Sequence, residues 1–351
     1  MKKTKKALAL ILAGLMTASM TACGSGKAAE TTQAAADTAA EKADETKADE
    51  TKEEASADGA SYKVGICQLV QHVALDAATE GFKDALTEKF GDKVTFDEQN
   101  AQGDSNTCST IINNFVAEDV DLILANATPA LQAAQAGTDT IPVLGTAVTE
   151  YGVALGIDDF NGTVGGNISG TADLAPLNEQ AAMLKELFPD AKNVGLLYCS
   201  AEANSQYQVD TVKAELEKLG YTCEYYAFSD SNDLATIATN AANSCDVIYI
   251  PTDNTAAANT EIINNICQPA GVPIIAGEEG ICSGCGVATL SISYYDLGVA
   301  TGKMAVKVLT GEADISEMPI EYAPQFTKKY NKTICEALGI TVPDDYIAIE
   351  E

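Results

Sequence analysis

The chain has 351 residues, 51 acidic side chains against 21 basic ones and a formal charge of −30, and every one of those basic residues is a lysine. So acidic a chain excludes nucleic acid and polyanionic ligands. Without arginine there is no guanidinium fork, so a bound carboxylate must rest on backbone N–H groups, hydroxyls or a lysine, while a zwitterion or a neutral molecule remains compatible.

Residues 1–23 read as a processing segment rather than part of the fold. Lys2, Lys3, Lys5 and Lys6 precede an apolar stretch, 7–16, that is too short for a transmembrane span, and Met20-Thr21-Ala22-Cys23 has the form of a bacterial lipobox. Cys23 is expected to carry the lipid, which places the mature chain at the cell membrane, lipid-anchored on the extracellular face of a Gram-positive type of envelope. Residues 24–60 contain no aromatic and no large aliphatic side chain, so they cannot offset the entropy of ordering and read as a flexible acidic tether.

Beyond the tether, short apolar runs alternate with longer helical patterns, the signature of parallel βα units. In the first half strands are expected near 62–68, 94–98, 121–125, 141–145 and 153–157, with helices near 75–90, 105–118, 129–136 and 176–187. The pattern then repeats: Val194-Gly195-Leu196 answers Val64-Gly65-Ile66, Asp246-Val247-Ile248 answers Asp121-Leu122-Ile123, and Val272-Pro273-Ile274 answers Ile141-Pro142-Val143. Second-half strands are expected near 193–199, 222–227, 246–250 and 273–276, with helices near 204–219, 231–243 and 255–269. Strands near 286–292 and 319–323 cross back, a helix over 294–309 returns to the first lobe, and one over 331–338 finishes on the second. Two similar α/β lobes suggest a clamp that buries a small molecule between facing loops.

Ligands of such sheets sit beyond the carboxyl ends of the strands, which selects a short set of loops. Thr128-Pro129 reads as an N-cap hydroxyl followed by proline at the first helical position, a terminus able to hold a carboxylate without arginine. Asn204-Ser205 could act in the same way, although capping alone would also explain either pair. Glu202, Asp253 and Glu278 stand in three converging loops, and one of them is expected to accept a ligand's ammonium. His72, the only histidine, lies in a cleft loop without partners for a metal site or a triad. No catalytic residue, metal site or cofactor motif emerges. Nine cysteines follow the lipobox; an odd number, several in apolar contexts, fits small buried hydrophobes better than a disulfide framework. Cys282-Ser283-Gly284-Cys285 is a lone CxxC read as lying between strands.

Seven segments in order carry a family resemblance: 68–82 (QLVQHVALDAATEGF), 100–104 (NAQGD), 127–130 (ATPA), 170–180 (GTADLAPLNEQ), 202–205 (EANS), 251–255 (PTDNT) and 294–298 (YYDLG). Together they resemble the ABC-transporter substrate-binding lipoproteins of the tryptophan/tyrosine type, over essentially all of residues 62–345. The resemblance implies an α/β type I periplasmic-binding-protein fold, two doubly wound parallel-sheet lobes joined by a three-crossover hinge. Lobe one would comprise 61–173 plus 294–318 and lobe two 174–293 plus 319–351. It also implies an aromatic amino acid as ligand, a permease and an ATPase as partners, no enzymatic activity, and a monomer. On matching positions it places Gln68 and His72 in the first ligand loop, Thr128 and Thr146 among the lobe-one contacts, and Glu202, Asn204, Ser205, Asp253 and Asn254 in lobe two. The sequence departs from the family pattern at Gln71-His72-Val73, where an acid and a proline often flank the histidine, and at Glu150-Tyr151, where many relatives have Asp-Pro. The rival expectations are a sensor reporting to a membrane receptor, a clamp for another small molecule, and a thiol enzyme using Cys282 and Cys285.

Overall fold

Runs buried at every position, such as Leu122–Asn126 and Val143–Val148, leave no face for water and must lie in a sheet covered by helices on both sides. In the computed structural model, which describes residues 60–350, they are inner strands of the first of two such sheets. The signal segment with Cys23 and the tether up to residue 59 lie outside the described residues.

Lobe one is built from β1 (Tyr62–Gln68), α1 (Val73–Phe90), β2 (Val94–Asn100), α2 (Ser105–Ala117), β3 (Leu122–Asn126), α3 (Thr128–Gly137), β4 (Val143–Val148), α4 (Tyr151–Leu155) and β5 (Ile168–Ala172). Lobe two follows with α5 (Leu177–Leu187), β6 (Asn193–Cys199), α6 (Ala203–Lys218), β7 (Thr222–Phe228), α7 (Ser231–Ser244), β8 (Val247–Ile250), α8 (Asn254–Ala257), α9 (Thr260–Ala270), β9 (Ile274–Ala276), α10 (Glu279–Cys285) and β10 (Ala288–Ser291). The chain then returns to lobe one for α11 (Tyr294–Leu309) and β11 (Glu321–Tyr322), and ends on lobe two with β12 (Thr327–Tyr330), α12 (Lys332–Leu338) and β13 (Ile347–Ala348). The strand orders are β11-β5-β4-β3-β1-β2 and β13-β12-β10-β9-β8-β6-β7. All pairings are parallel except that of β10 with β12, and the described chain passes between the lobes three times.

Three sequence expectations need correction. Residues 153–157 are not a strand. Glu150 accepts hydrogen bonds from the N–H groups of Gly152 and Val153, Gly156 closes the turn in the left-handed region, and the segment is the short helix α4. The fifth strand is Ile168–Ala172, whose small and polar residues gave no apolar run to read. Helix α5, read with the elements of the first half, packs through Leu177, Ala181, Met183 and Leu184 into the core of lobe two. The last crossover falls after Tyr322 rather than at 318, because β11 pairs with β5. The CxxC lies between strands as expected, on helix α10 between β9 and β10.

The returning helix α11 packs backbone to backbone on α1. A Cβ on Gly298 would stand 2.0 Å from the carbonyl oxygen of Ala78, and one on Gly81 2.1 Å from that of Tyr295. Beside this contact the hydroxyls of Thr146, Thr171 and Thr301 bond to one another in a buried cluster, which ties α11 to β4 and β5. Gly298→Ala is therefore expected to force the helices apart and to lower the unfolding free energy by about 1–3 kcal/mol or more, read by urea denaturation. An unchanged midpoint would show that the helix pair is not closely docked.

Candidate ligand-binding cleft

The sheet order fixes which loops meet. Along the carboxyl edge of lobe one stand Asp173 after β5, Thr149 after β4, Thr128 after β3, residues 69–72 after β1 and residues 102–104 after β2. Facing them are residues 200–205 after β6, 252–254 after β8 and 277–278 after β9. The lobes are closed on each other: α4 touches α6 and α1 touches α10, and His72 Nε2 lies 3.2 Å from Asn254 Oδ1 across the cleft. A cavity of about 210 Å³ opens between them, with Leu69, Val70 and Pro129 on one side and Ala201, Glu202 and Thr255 on the other. Larger hollows of about 770 and 510 Å³ run along α11; unlike the cleft cavity, neither lies between the loops at the carboxyl ends of the two sheets.

Most of the acids expected to meet a ligand serve the protein instead. Glu202 accepts from the backbone N–H and side-chain amide of Asn254 at 3.1 and 2.7 Å, and from the N–H and hydroxyl of Thr255 at 2.9 and 2.8 Å. It thereby caps α8 from a neighbouring loop. Asp253, the N-cap of the same helix, accepts from Cys199 N–H at 2.6 Å and Ala256 N–H at 2.8 Å and is also bonded by the Ser205 hydroxyl. Glu278 caps α10 through the N–H groups of Gly280 and Ile281. Burial pushes Glu278 up to about 7, and burial with the neighbouring Glu202 charge pushes Asp253 up to about 7 as well. Gln68 is likewise engaged: its amide donates to Val70 C=O and Asp76, and its oxygen accepts from Thr79. Thr146 is committed to the threonine cluster.

Other groups in the same loops are left without partners. Among the described residues seven buried side-chain polar atoms have none, and four stand at the cleft: His72 Nδ1, Thr128 Oγ1, Asp173 Oδ1 and Asn204 Oδ1. Buried polar atoms of a native protein ordinarily find a partner, so a cluster of unpaired ones marks where a missing molecule belongs. Thr128 is not the cap of α3 but its first helical residue; Ala127, at φ 90°, is the cap. Asn204 donates to Glu202, Ser205 and Thr252 C=O, which leaves its oxygen open. Asp173 is the residue that sequence reading misses. Its Oδ2 accepts from Tyr294 O–H at 2.9 Å, Thr149 bonds it as well, and burial raises its carboxyl above the usual range. An acid directly after the fifth strand was the available signal, and placing that strand at 153–157 concealed it.

The CxxC offers no chemistry. Burial holds both thiols well above the ordinary range, so neither supplies a thiolate. The nine cysteines of the described region are unpaired, and no group of three or more His, Cys, Asp or Glu among the described residues could hold a metal.

Comparison with known proteins agrees with this geometry. Residues 63–349 match a family model described as ABC transporter substrate binding protein. A tyrosine-binding protein of Clostridioides difficile is 34% identical over 97% of this chain and 94% of its own. Among solved structures, an ABC domain from Streptococcus pneumonia in complex with L-Trp is 35% identical, covering 81% of this chain and 97% of that one, with a TM-score of 0.77. The ligand-free, open form of a substrate-binding protein with adhesive properties from Clostridium difficile is 36% identical over 82% of this chain and 99% of that one, yet its TM-score is 0.63. With identity and coverage nearly equal, the better fit to the tryptophan complex accords with the closed lobes described above.

The buried acids give stability a distinct pH dependence. Asp253 and Glu278, at about 7, keep protons in the folded chain that unfolded carboxyls release at about pH 4. Between about pH 4 and 7 these two groups therefore make stability fall as pH rises. Glu278→Gln is expected to flatten the slope of unfolding free energy against pH over that window, measured by urea denaturation; an unaltered slope would assign the titration elsewhere.

Proposed function

The chain belongs to the ABC transporter substrate-binding proteins, a family that binds its ligand rather than transforming it, and from that premise we propose that its ligand is an aromatic amino acid delivered to a permease driven by an ATPase. The observation that carries this reading is the set of four unpaired atoms in the closed cleft. They divide as a zwitterion requires. The N–H groups of Thr128 and Ala130 precede the first intrahelical bond of α3, from Leu131 N–H to Ala127 C=O, and with the Thr128 hydroxyl they suit a carboxylate. The Asp173 carboxylate and the Asn204 amide oxygen are acceptors suited to an ammonium. That division replaces the expectation that Glu202, Asp253 or Glu278 would hold the ammonium.

The relatives named for tyrosine and in complex with L-Trp support the aromatic class, as do the apolar residues Leu69, Val70, Pro129 and Ala201 in the lining of the cavity. Binding closes the lobes about the three crossovers and presents the closed form to the permease. Export and lipid attachment at Cys23 complete the reading on the strength of the sequence alone.

Thermal unfolding with each amino acid in turn tests the proposal. A ligand at 100 times its dissociation constant adds roughly 2.7 kcal/mol, and the chain has no tryptophan, so bound tryptophan can also be followed by its own fluorescence. Tyrosine, tryptophan or phenylalanine is expected to raise the midpoint, and silence from all amino acids would remove the reading. Asp173→Asn is expected to weaken the same ligands roughly 10- to 100-fold through the lost charge-assisted bond, while leaving des-amino analogues nearly unaffected in calorimetry.

A further inference from the structure

The single histidine is held by a chain of hydrogen bonds that begins in the opposite lobe. The Asn254 amide nitrogen donates to Glu202 Oε2 at 2.7 Å. Asn254 Oδ1 is therefore the atom that faces His72, and Nε2 of the imidazole, 3.2 Å away, must carry the proton. In a neutral ring Nδ1 is then a bare acceptor, and it is buried without a partner. Burial lowers the imidazole's proton affinity against the opposing pull of Asn254, Glu202 and Asp76, so the ring is neutral at pH 7.

The position of this acceptor follows from the sheet order. A ligand with its ammonium at Asp173 after β5 and its carboxylate at Thr128 after β3 has its polar end over one side of the sheet. Its side chain is left to run toward β1 and β2, where the cavity opens. His72 lies in the loop after β1, the strand next to β3 in the sheet, so its loop adjoins the one that carries Thr128. We infer that His72 Nδ1 accepts the donor on the ligand's side chain, a phenol O–H or an indole N–H, and that Glu202 and Asn254 are positioning residues that fix the required tautomer, resting on the reading of the cleft as an aromatic amino acid site. Selectivity comes from the acceptor left empty: phenylalanine would bury Nδ1 unpaired, and sites built around a polar partner reject the analogue that lacks it.

The test uses tag-free full-length protein, in which one imidazole gives one nitrogen-15 histidine signal set. The spectrum is expected to show Nε2 protonated and Nδ1 bare, with the Nδ1 resonance moving on addition of tyrosine or tryptophan but not phenylalanine. By calorimetry, phenylalanine is expected to bind at least about tenfold more weakly than tyrosine. His72→Gln, whose amide can still reach Asn254 but offers nothing at the Nδ1 position, is expected to erase that gap by weakening tyrosine about tenfold or more while changing phenylalanine by less than about threefold. Equal affinities in the parent protein, an equal loss for all three ligands in the variant, or the opposite tautomer would each overturn the assignment to the side-chain donor. Binding of none of the three by the parent would overturn the aromatic reading itself.

Discussion

A buried carboxylate organises the ligand-facing side of lobe two. Glu202 leaves water at the end of β6 and is compensated by the first backbone and side-chain donors of α8 and by the Asn204 amide. A carboxyl group so supplied has its buried oxygens satisfied, whereas removal of its donors would leave them unpaired in the interior. In return it fixes the 252–255 loop, orients Asn254 and Asn204, and through Asn254 reaches the opposite lobe at His72. The lobe-two loops at 202–205 and 252–255 are thus held together by one carboxyl group.

The same commitment of charge explains why the cleft recruits its polar contacts from unexpected places. Three acids at strand ends are consumed in capping α8 and α10, short helices whose exposed N–H groups would otherwise be unpaid in the interior. The acceptor that remains, Asp173, stands on the first crossover and is bonded by Tyr294 at the start of the helix that follows the second. A cation bound there would stand beside two of the three interlobe connections, so ligand occupancy and hinge geometry share the same atoms.

Much of the architecture was legible because parallel sheets leave a plain record: β1, β3, β4, β6, β8 and β9 are short apolar runs followed by loops and helices. Segments that broke the pattern did so for identifiable physical reasons. Val153-Ala154-Leu155 resembles a strand until the capping reach of Glu150 and the left-handed Gly156 are counted. Ile168–Ala172 hides because its neighbours are Gly145 and the Tyr151 hydroxyl, which leave no room for large side chains at Gly170. At the site, residue type was readable and residue role was not. Thr128, Asn204 and His72 each keep a buried atom without a partner, whereas Glu202, Asp253 and Glu278 are satisfied internally, a distinction set by three-dimensional neighbours. Gln68 and Thr146 show the same limit, since their partners Thr79, Thr171 and Thr301 lie on other elements and meet them only in the fold.

The interleaving of the lobes also dictates an order of assembly. Lobe one lacks the helix that covers α1 and the edge strand beside β5 until residues 294–322 have been made, and lobe two lacks its antiparallel strand until residue 330. Neither half of the chain is therefore a self-sufficient folding unit, and the contact of α11 with α1 joins segments more than two hundred residues apart, a topology that folds slowly. A chain of this kind can remain unfolded through the whole of its synthesis and complete both lobes together only once its C-terminal segment is present.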